Sequence, residues 1–389
     1  IRHRMTSEQL ALYIHWPFCL AKCPYCDFNS HVRDAIDQAR FAAALRRELA
    51  WEAARLGRRR VGSVFVGGGT PSLMDPDTLG ALLDDARRLF DLAPDAEVTL
   101  EANPTSVETA RLAAFRDAGA NRASIGVQAL DDAALGFLGR RHDAASAIAA
   151  LETARAIFPR VSFDLIYARP GQTEAAWRAE LRRALALAAD HLSLYQLTIE
   201  PGTRFETLHR RGEIALPDPD EAAALYRATE EEAERFGLLP YEVSNYAVPG
   251  AESRHNLAYW RYADYAGIGP GAHGRLTLAP GRTVATVRHR APEPWADLVE
   301  RQDHGTRSEE ALPPRERARE MLLMGLRLAD GIDPARFAAR TGMAWREAVD
   351  ADVLAQGIDE GYISIASDRI AATAEGRLRL DALLAALVL

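Results

Sequence analysis

Apolar residues in this chain fall in short runs separated by longer stretches of helical period. Leu10–Trp16, Ser63–Val66, Glu97–Leu100, Arg122–Val127, Val161–Ile166 and His191–Leu197 each read as a strand. Between them, Asp34–Leu56, Pro76–Phe90, Val107–Ala118, Asp132–Leu138, Ala144–Ile157 and Glu174–Ala188 carry the 3.6-residue repeat of helices. Strands alternating with helices of this length predict parallel βαβ units. Each strand ends in polar or glycine-rich residues. That suits a TIM-like barrel or partial barrel with six βα units, whose site lies at the C-terminal ends of the strands. An open doubly wound sheet is the alternative, and it would gather the ligand at one switch point.

After Glu200 the pattern changes. Pro217–Phe236 reads as a long charged helix and Tyr241–Tyr246 as a strand. His255–Trp260 and the glycine-rich run Gly267–Gly274 follow, then a strand over Arg282–Arg288. Asp303–Pro314 is polar, contains proline and reads as a linker. Beyond it the order is three helices, a hairpin turning at Ser367-Asp368, and a last helix, which is winged-helix-like. The expected fold class is therefore α/β. Its parts are a tail over 1–9, a partial barrel over 10–236, an extension over 237–305 and a small C-terminal domain over 306–389.

Composition narrows the class. With 389 residues, 48% hydrophobic and 26% charged, the chain can bury a large core. No apolar run reaches the ~18 residues of a membrane span, and no signal peptide precedes the first strand. A cytoplasmic, non-transmembrane protein is expected, with peripheral membrane contact left open. Ile1–Arg4, ahead of Met5, read as extraneous to the fold. The net charge of -8 and the lack of a long basic run argue against nucleic-acid binding. Trp345–Gln356, the second helix of the C-terminal unit, carries a single arginine. Lys22 is the only lysine among 47 basic residues. It lies between two cysteines, where a compact ammonium differs most from a guanidinium.

All three cysteines, Cys19, Cys23 and Cys26, lie in one C-x3-C-x2-C loop. Three thiols so closely packed cannot make a disulfide framework and read as metal ligands. Zinc would need a fourth ligand, for which His15 and His31 are candidates. A four-iron cluster on three cysteines would leave one iron open to a chelating ligand.

This motif after a first strand is similar to that of the radical S-adenosylmethionine (SAM) superfamily. The resemblance implies a radical-SAM partial barrel and a [4Fe-4S] cluster on Cys19, Cys23 and Cys26. It implies SAM on the open iron, cleaved to a 5′-deoxyadenosyl radical. Gly68, Gly69 and Thr70 resemble the superfamily's glycine motif. Tyr13, Tyr25, Glu101, Gln128, Arg140 and Asp164 stand where the resemblance puts further SAM contacts, with Glu101 accepting from the ribose hydroxyls.

The runs YIHWPFC, KCPYCDFNS, FVGGGTPS, EANP, SIGVQ, FDLIY, EVSNYA, HNLAYW and GIGPGAHG resemble the family of oxygen-independent coproporphyrinogen oxidase and its heme-chaperone relative, HemW. The oxidase has a fourth cysteine where this chain has Phe28. It also has a long N-terminal arm, for which no room is expected before Cys19. Both departures favour the heme-chaperone branch. The resemblance then implies heme held near His255, Asn256, Tyr259 and Trp260, by imidazole ligation and aromatic packing. A structural histidine in an aromatic-rich turn is the plainer reading of the same residues. The implied partners are heme, an unnamed heme-accepting protein, with a respiratory protein one candidate, and an electron donor. The family's D-L-I-Y-G-L-P-G-Q here has Ala168 and Arg169 in place of Gly-Leu, and Arg169 is a candidate for reaching a propionate. Rival functions are a radical-SAM methyltransferase or cyclopropane-forming enzyme, the oxidase itself, and a winged-helix DNA-binding protein.

Overall fold

The computed structural model describes residues 9–279, 281–366 and 369–389. The expected tail, all but Gln9, and the Ser367-Asp368 turn lie outside the described residues.

Six strands form the centre: β1 (Leu10–Trp16), β2 (Arg60–Gly68), β3 (Asp91–Ala102), β4 (Arg122–Gln128), β5 (Arg160–Tyr167) and β6 (His191–Gln196). Each pairs in parallel with the next in sequence. The order never reverses, so there is no switch point, and the winding is that of a barrel instead of a doubly wound sheet. The sheet continues past both ends. Antiparallel to β6 runs β7 (Asn245–Ala247), followed by the two-residue strand Leu239–Pro240. On the other side of β1 lie β8 (Tyr265–Ile268, parallel), then β9 (His273–Ala279), β10 (Arg282–Arg288) and β11 (Thr306–Leu312), each antiparallel to its neighbour. Among the described residues the sheet has twelve strands and its two edges do not pair, so the barrel is partial.

Side chains alternate across the sheet. Leu12, Ile14, Trp16, Val64, Val66, Leu100, Ile125 and Leu165 join the main core under helices such as Gln38–Leu56, which contributes Phe41, Leu45 and Leu49. Burying each such side chain is worth about 1.5–3 kcal/mol. The intervening residues face the interior of the partial barrel. They include Tyr13, His15, Ser63, Phe65, Glu101, Ser124 and Asp164. The outer face thus holds the fold together and the inner face is free for polar chemistry.

Three expectations change. Val107–Ala118 is two short helices, Ser106–Thr109 and Leu112–Asp117. The buried Glu108 carboxylate accepts from the Asn103 N–H and the Ser72 hydroxyl, which ties the first turn to the strand ends. Only the end of Tyr241–Tyr246 is a strand. The buried Glu242 accepts from the Ser244 N–H and the Asn245 amide, folding the segment into a turn before β7. The expected linker Asp303–Pro314 contains β11, the outermost strand. Its polar composition is that of an edge strand with solvated side chains.

The C-terminal unit contains helices Pro314–Gly325, Pro334–Thr341 and Ala351–Asp359, the hairpin strands Ile363–Ala366 and Arg369–Ala372, and helix Leu380–Leu387. It has its own core around Met321, Leu322, Phe337, Trp345 and Ile370. No helix of the described residues is long and apolar enough to cross a membrane.

Candidate functional site

The chain leaves β1 at Trp16 and enters Phe18–Cys19, a two-residue strand paired in parallel with His31–Val32. This closure carries the cysteine loop over the C-terminal ends of the strands. The Cys26 N–H donates to the Cys23 carbonyl at 3.2 Å and sets the inner turn. Cys19, Cys23 and Cys26 all face one cavity of about 420 Å³, within the usual range for a ligand pocket.

Each sulfur has a polar neighbour. The Thr70 hydroxyl donates to Cys19 Sγ at 3.3 Å, and Arg140 Nη1 donates to Cys23 Sγ at 3.5 Å. Ser30 Oγ lies 4.0 Å from Cys26 Sγ. Burial nonetheless pushes the Cys19 and Cys26 thiols up. They therefore become thiolates when a metal supplies the positive charge. Among the described residues, no group of three or more His, Cys, Asp or Glu side chains is arranged around a single ion. His15, a candidate fourth zinc ligand, is engaged at both nitrogens: Tyr13 Oη is 2.9 Å from Nδ1 and Nε2 is 2.9 Å from the Asn29 carbonyl. His31 Nε2 lies 3.3 Å from Asn29 Oδ1. Three thiols on the wall of an open cavity suit a cluster with one free iron.

Gly68, Gly69, Thr70, Glu101, Gln128, Arg140, Asp164 and Tyr25 line the same cavity. The Gly68 N–H donates to Glu101 Oε2 at 3.1 Å. A Cβ on Gly68, at φ +118°, would stand 2.6 Å from the His15 ring. One on Gly69 would stand 2.7 Å from the Phe18 carbonyl. The glycines are thus required by the packing of the cysteine loop on β2, besides baring backbone to a ligand. Arg140 is held in place by Asn103 Oδ1, the Gly126 carbonyl at 2.9 Å and the Tyr25 hydroxyl at 3.4 Å. Burial, and then the neighbouring Asp164, push Glu101 up to about 8. Burial likewise pushes Asp164 up to about 6.

Tyr13 is the one expected SAM contact that does not line this cavity. It faces a second cavity of about 450 Å³, which shares Phe28, Gly68 and Glu101 with the first. Phe28 is 57% exposed and lines both. His15, Tyr259, Tyr265, His273 and Arg290 also line the second cavity.

Of the four residues expected to contact heme, only Tyr259 reaches that cavity. Helix Arg254–Trp260 is capped by the Ser253 hydroxyl, which accepts from the Asn256 N–H. It places His255 beside Ser63 and Phe65 of β2, below the strand ends. His255 is 1% exposed. Its Nδ1 pairs with Ser63 Oγ at 3.0 Å, and its Nε2 pairs with Tyr259 Oη at 3.2 Å. Burial lowers it to about 3 and keeps it neutral. Asn256 donates to the Tyr241 hydroxyl, and Trp260 packs against the Arg327 guanidinium. Arg169 lines neither cavity. It is buried and ion-paired with Glu180.

Asn103, Ser124, Gly126, Tyr195 and Gln196 also line the first cavity and were not expected to. Asn103 had a signal, since it lies in the EANP run. Ser124 had one in the alternation along β4.

The radical SAM superfamily profile matches residues 13–184, and the HemN C-terminal domain profile matches residues 312–379. The radical S-adenosyl methionine domain-containing protein 1, mitochondrial, of Bos taurus is 46% identical over 334 residues, 84% of this chain and 75% of its own. Heme chaperone HemW of Escherichia coli (strain K12) is 37% identical over 377 residues, 96% of this chain and 97% of its own. Heme chaperone HemW of Mycobacterium tuberculosis (strain ATCC 25618 / H37Rv) is 38% identical over 388 residues, 99% of this chain and 96% of its own. The solved structure of coproporphyrinogen III oxidase (HemN) from Escherichia coli, a radical SAM enzyme, shares the fold. Its TM-score is 0.79 over 97% of this chain and 89% of its own, at 24% identity.

Proposed function

The chain belongs to the radical SAM superfamily and, within it, to the family of the heme chaperone HemW, and from that premise we propose that it binds heme and hands it to an acceptor protein. The observation that carries this reading is the second cavity. It is aromatic-walled and adjoins the three-thiol cavity, and Phe28, which stands where the oxidase resemblance would put a fourth cysteine, lines both.

A four-iron cluster on Cys19, Cys23 and Cys26 would supply one open iron for the amino and carboxylate groups of SAM. The chain's own residues do the rest. Thr70 and Arg140 direct hydrogen-bond donors at two of the sulfurs. Such donors help set the potential of a bound cluster. Glu101 and Asp164 offer acceptors in the same cavity. Tyr259 and Tyr265, packed edge to face, supply aromatic surface for a flat macrocycle. A reducing compartment such as the cytoplasm fits three cysteines that must stay unpaired to bind iron. The acceptor and the electron donor are proteins of this reading, without further identity.

The test uses one anaerobically reconstituted sample of the full chain. Iron content, heme stoichiometry and SAM cleavage are measured together. One heme per chain and no turnover of coproporphyrinogen are expected. Conversion of coproporphyrinogen to protoporphyrinogen, or substrate-dependent methylation, would replace this reading with an enzymatic one.

A further inference from the structure

A histidine holds a heme iron through a ring-nitrogen lone pair turned toward the porphyrin. His255 does not offer one: it is enclosed between Ser63, Phe65 and Tyr259, with both ring nitrogens engaged. Two other histidines line the second cavity, His15 and His273. His15 is only 5% exposed and is held by Tyr13 and Asn29. His273 is exposed, and its ring makes no hydrogen bond among the described residues.

The glycine-rich run Gly267–Gly274 explains why His273 stands there. A Cβ on Gly267 would fall 2.1 Å from the His273 carbonyl oxygen, so only glycine lets β8 and β9 approach so closely. Gly269, at φ +104°, lies against the His15 carbonyl, and Gly271, at φ +79°, lies against the Asn29 side chain. Asn29 Nδ2 donates to the Pro270 and Arg290 carbonyls, both at 2.9 Å. The cysteine loop is thereby bolted to the two segments that carry His273 and Arg290. Arg290 is exposed at the rim and has no ion-pair partner among the described residues. Burial, together with the Arg275 and Arg290 charges, lowers His273 and favours the neutral imidazole that binds metals.

We propose that His273 is the axial heme ligand, with the porphyrin in the second cavity against Tyr259 and Tyr265 and a propionate carboxylate on Arg290. This rests on the heme-binding reading above. His255 is then a positioning residue: it holds the Tyr259 hydroxyl and thereby one wall of the cavity.

Ferric hemin is titrated into the reconstituted full chain and followed by its Soret band and by EPR. The wild type is expected to show a histidine-ligated signature. His273→Ala should lose that signature and bind weaker by at least the about 10-fold that loss of an outer-shell partner alone costs a metal site. Added imidazole should restore the signature, and His273→Met should shift it toward thioether ligation. Arg290→Ala should weaken binding with the spectrum unchanged. His255→Ala should keep the signature and melt at a lower temperature. A wild-type spectrum and affinity in His273→Ala would overturn this assignment alone. Absence of any hemin-bound Soret band in the wild type would overturn the heme-binding reading and this assignment with it.

Discussion

At the scale of single residues, the facing carboxyls Glu101 and Asp164 matter most to ligand binding. Glu101 receives one backbone donor, from Gly68, and is otherwise buried near a second acid. With its carboxyl at about 8, it is mostly protonated at neutral pH in the absence of ligand. Ribose hydroxyls that donate to it would favour the ionised form. SAM binding then expels a proton below that pH. Affinity should therefore rise between pH 6 and 8, by up to about 10-fold per unit where one proton is released. Glu101→Gln should bind more weakly, with a flat profile. Calorimetry in two buffers of different ionisation heat counts the proton. Zero release, or an unchanged slope in the Gln variant, would mean that Glu101 does not meet the ligand. Asp164, at about 6, should steepen only the acid end of the profile.

At the scale of elements, the turn after β5 shows how a charge can mislead. Ala168 holds φ +57° where the family resemblance has glycine, a conformation that costs about 1–2 kcal/mol. Beside it, Arg169 looked free to reach a ligand. Instead Glu180, on helix Glu174–Leu187, takes the guanidinium and also accepts from the Leu130 N–H at 2.8 Å. Arg169→Leu would strand a buried carboxylate and should cost about 3–5 kcal/mol. Adding Glu180→Gln should recover most of that in urea midpoints. A variant that keeps its midpoint but loses ligand affinity would return Arg169 to the binding site. The six central strands were legible because their outward positions are uniformly apolar. The edge strand β11 was not, because solvation makes an edge look like a linker. The cysteines and the glycine motif were legible as chemistry. The second demand on those glycines, that His15 and the Phe18 carbonyl press against them, exists only in three dimensions. The His255 motif was visible as a motif, whereas its burial beside β2 depends on a helix that the local pattern did not announce.

At the scale of the whole molecule, one carboxylate ties three parts together. Asp264 is 1% exposed and lies between helix Arg254–Trp260 and β8. It accepts from Arg59 beside β2 and from Arg340 on helix Pro334–Thr341, each at 2.6 Å. It also accepts from the Thr277 N–H and hydroxyl on β9, at 2.8 and 2.9 Å. Barrel, extension and C-terminal unit thus meet on one charge. Burial pushes Asp264 up, but Arg340 and Arg59 outweigh it and hold the carboxyl below its usual range. A depressed carboxyl adds stability above its unfolded value, near 3.8, and that share is lost as pH falls through the folded value. Asp264→Asn keeps the shape but removes the charge that the partly buried Arg59 and Arg340 guanidiniums share, at a cost of about 3 kcal/mol. The loss should appear first as uncoupling. Hydrogen exchange should rise in helix Pro334–Thr341 and its hairpin while β1 to β6 stay protected. The variant's stability should also fall less steeply below pH 4 than the wild type's. Uniform loss of protection across both cores would show that they unfold as one unit, with Asp264 only one contact among many. Retained coupling matters for function, because Arg327 of the C-terminal unit packs on Trp260 and so supports the helix whose Tyr259 walls the second cavity.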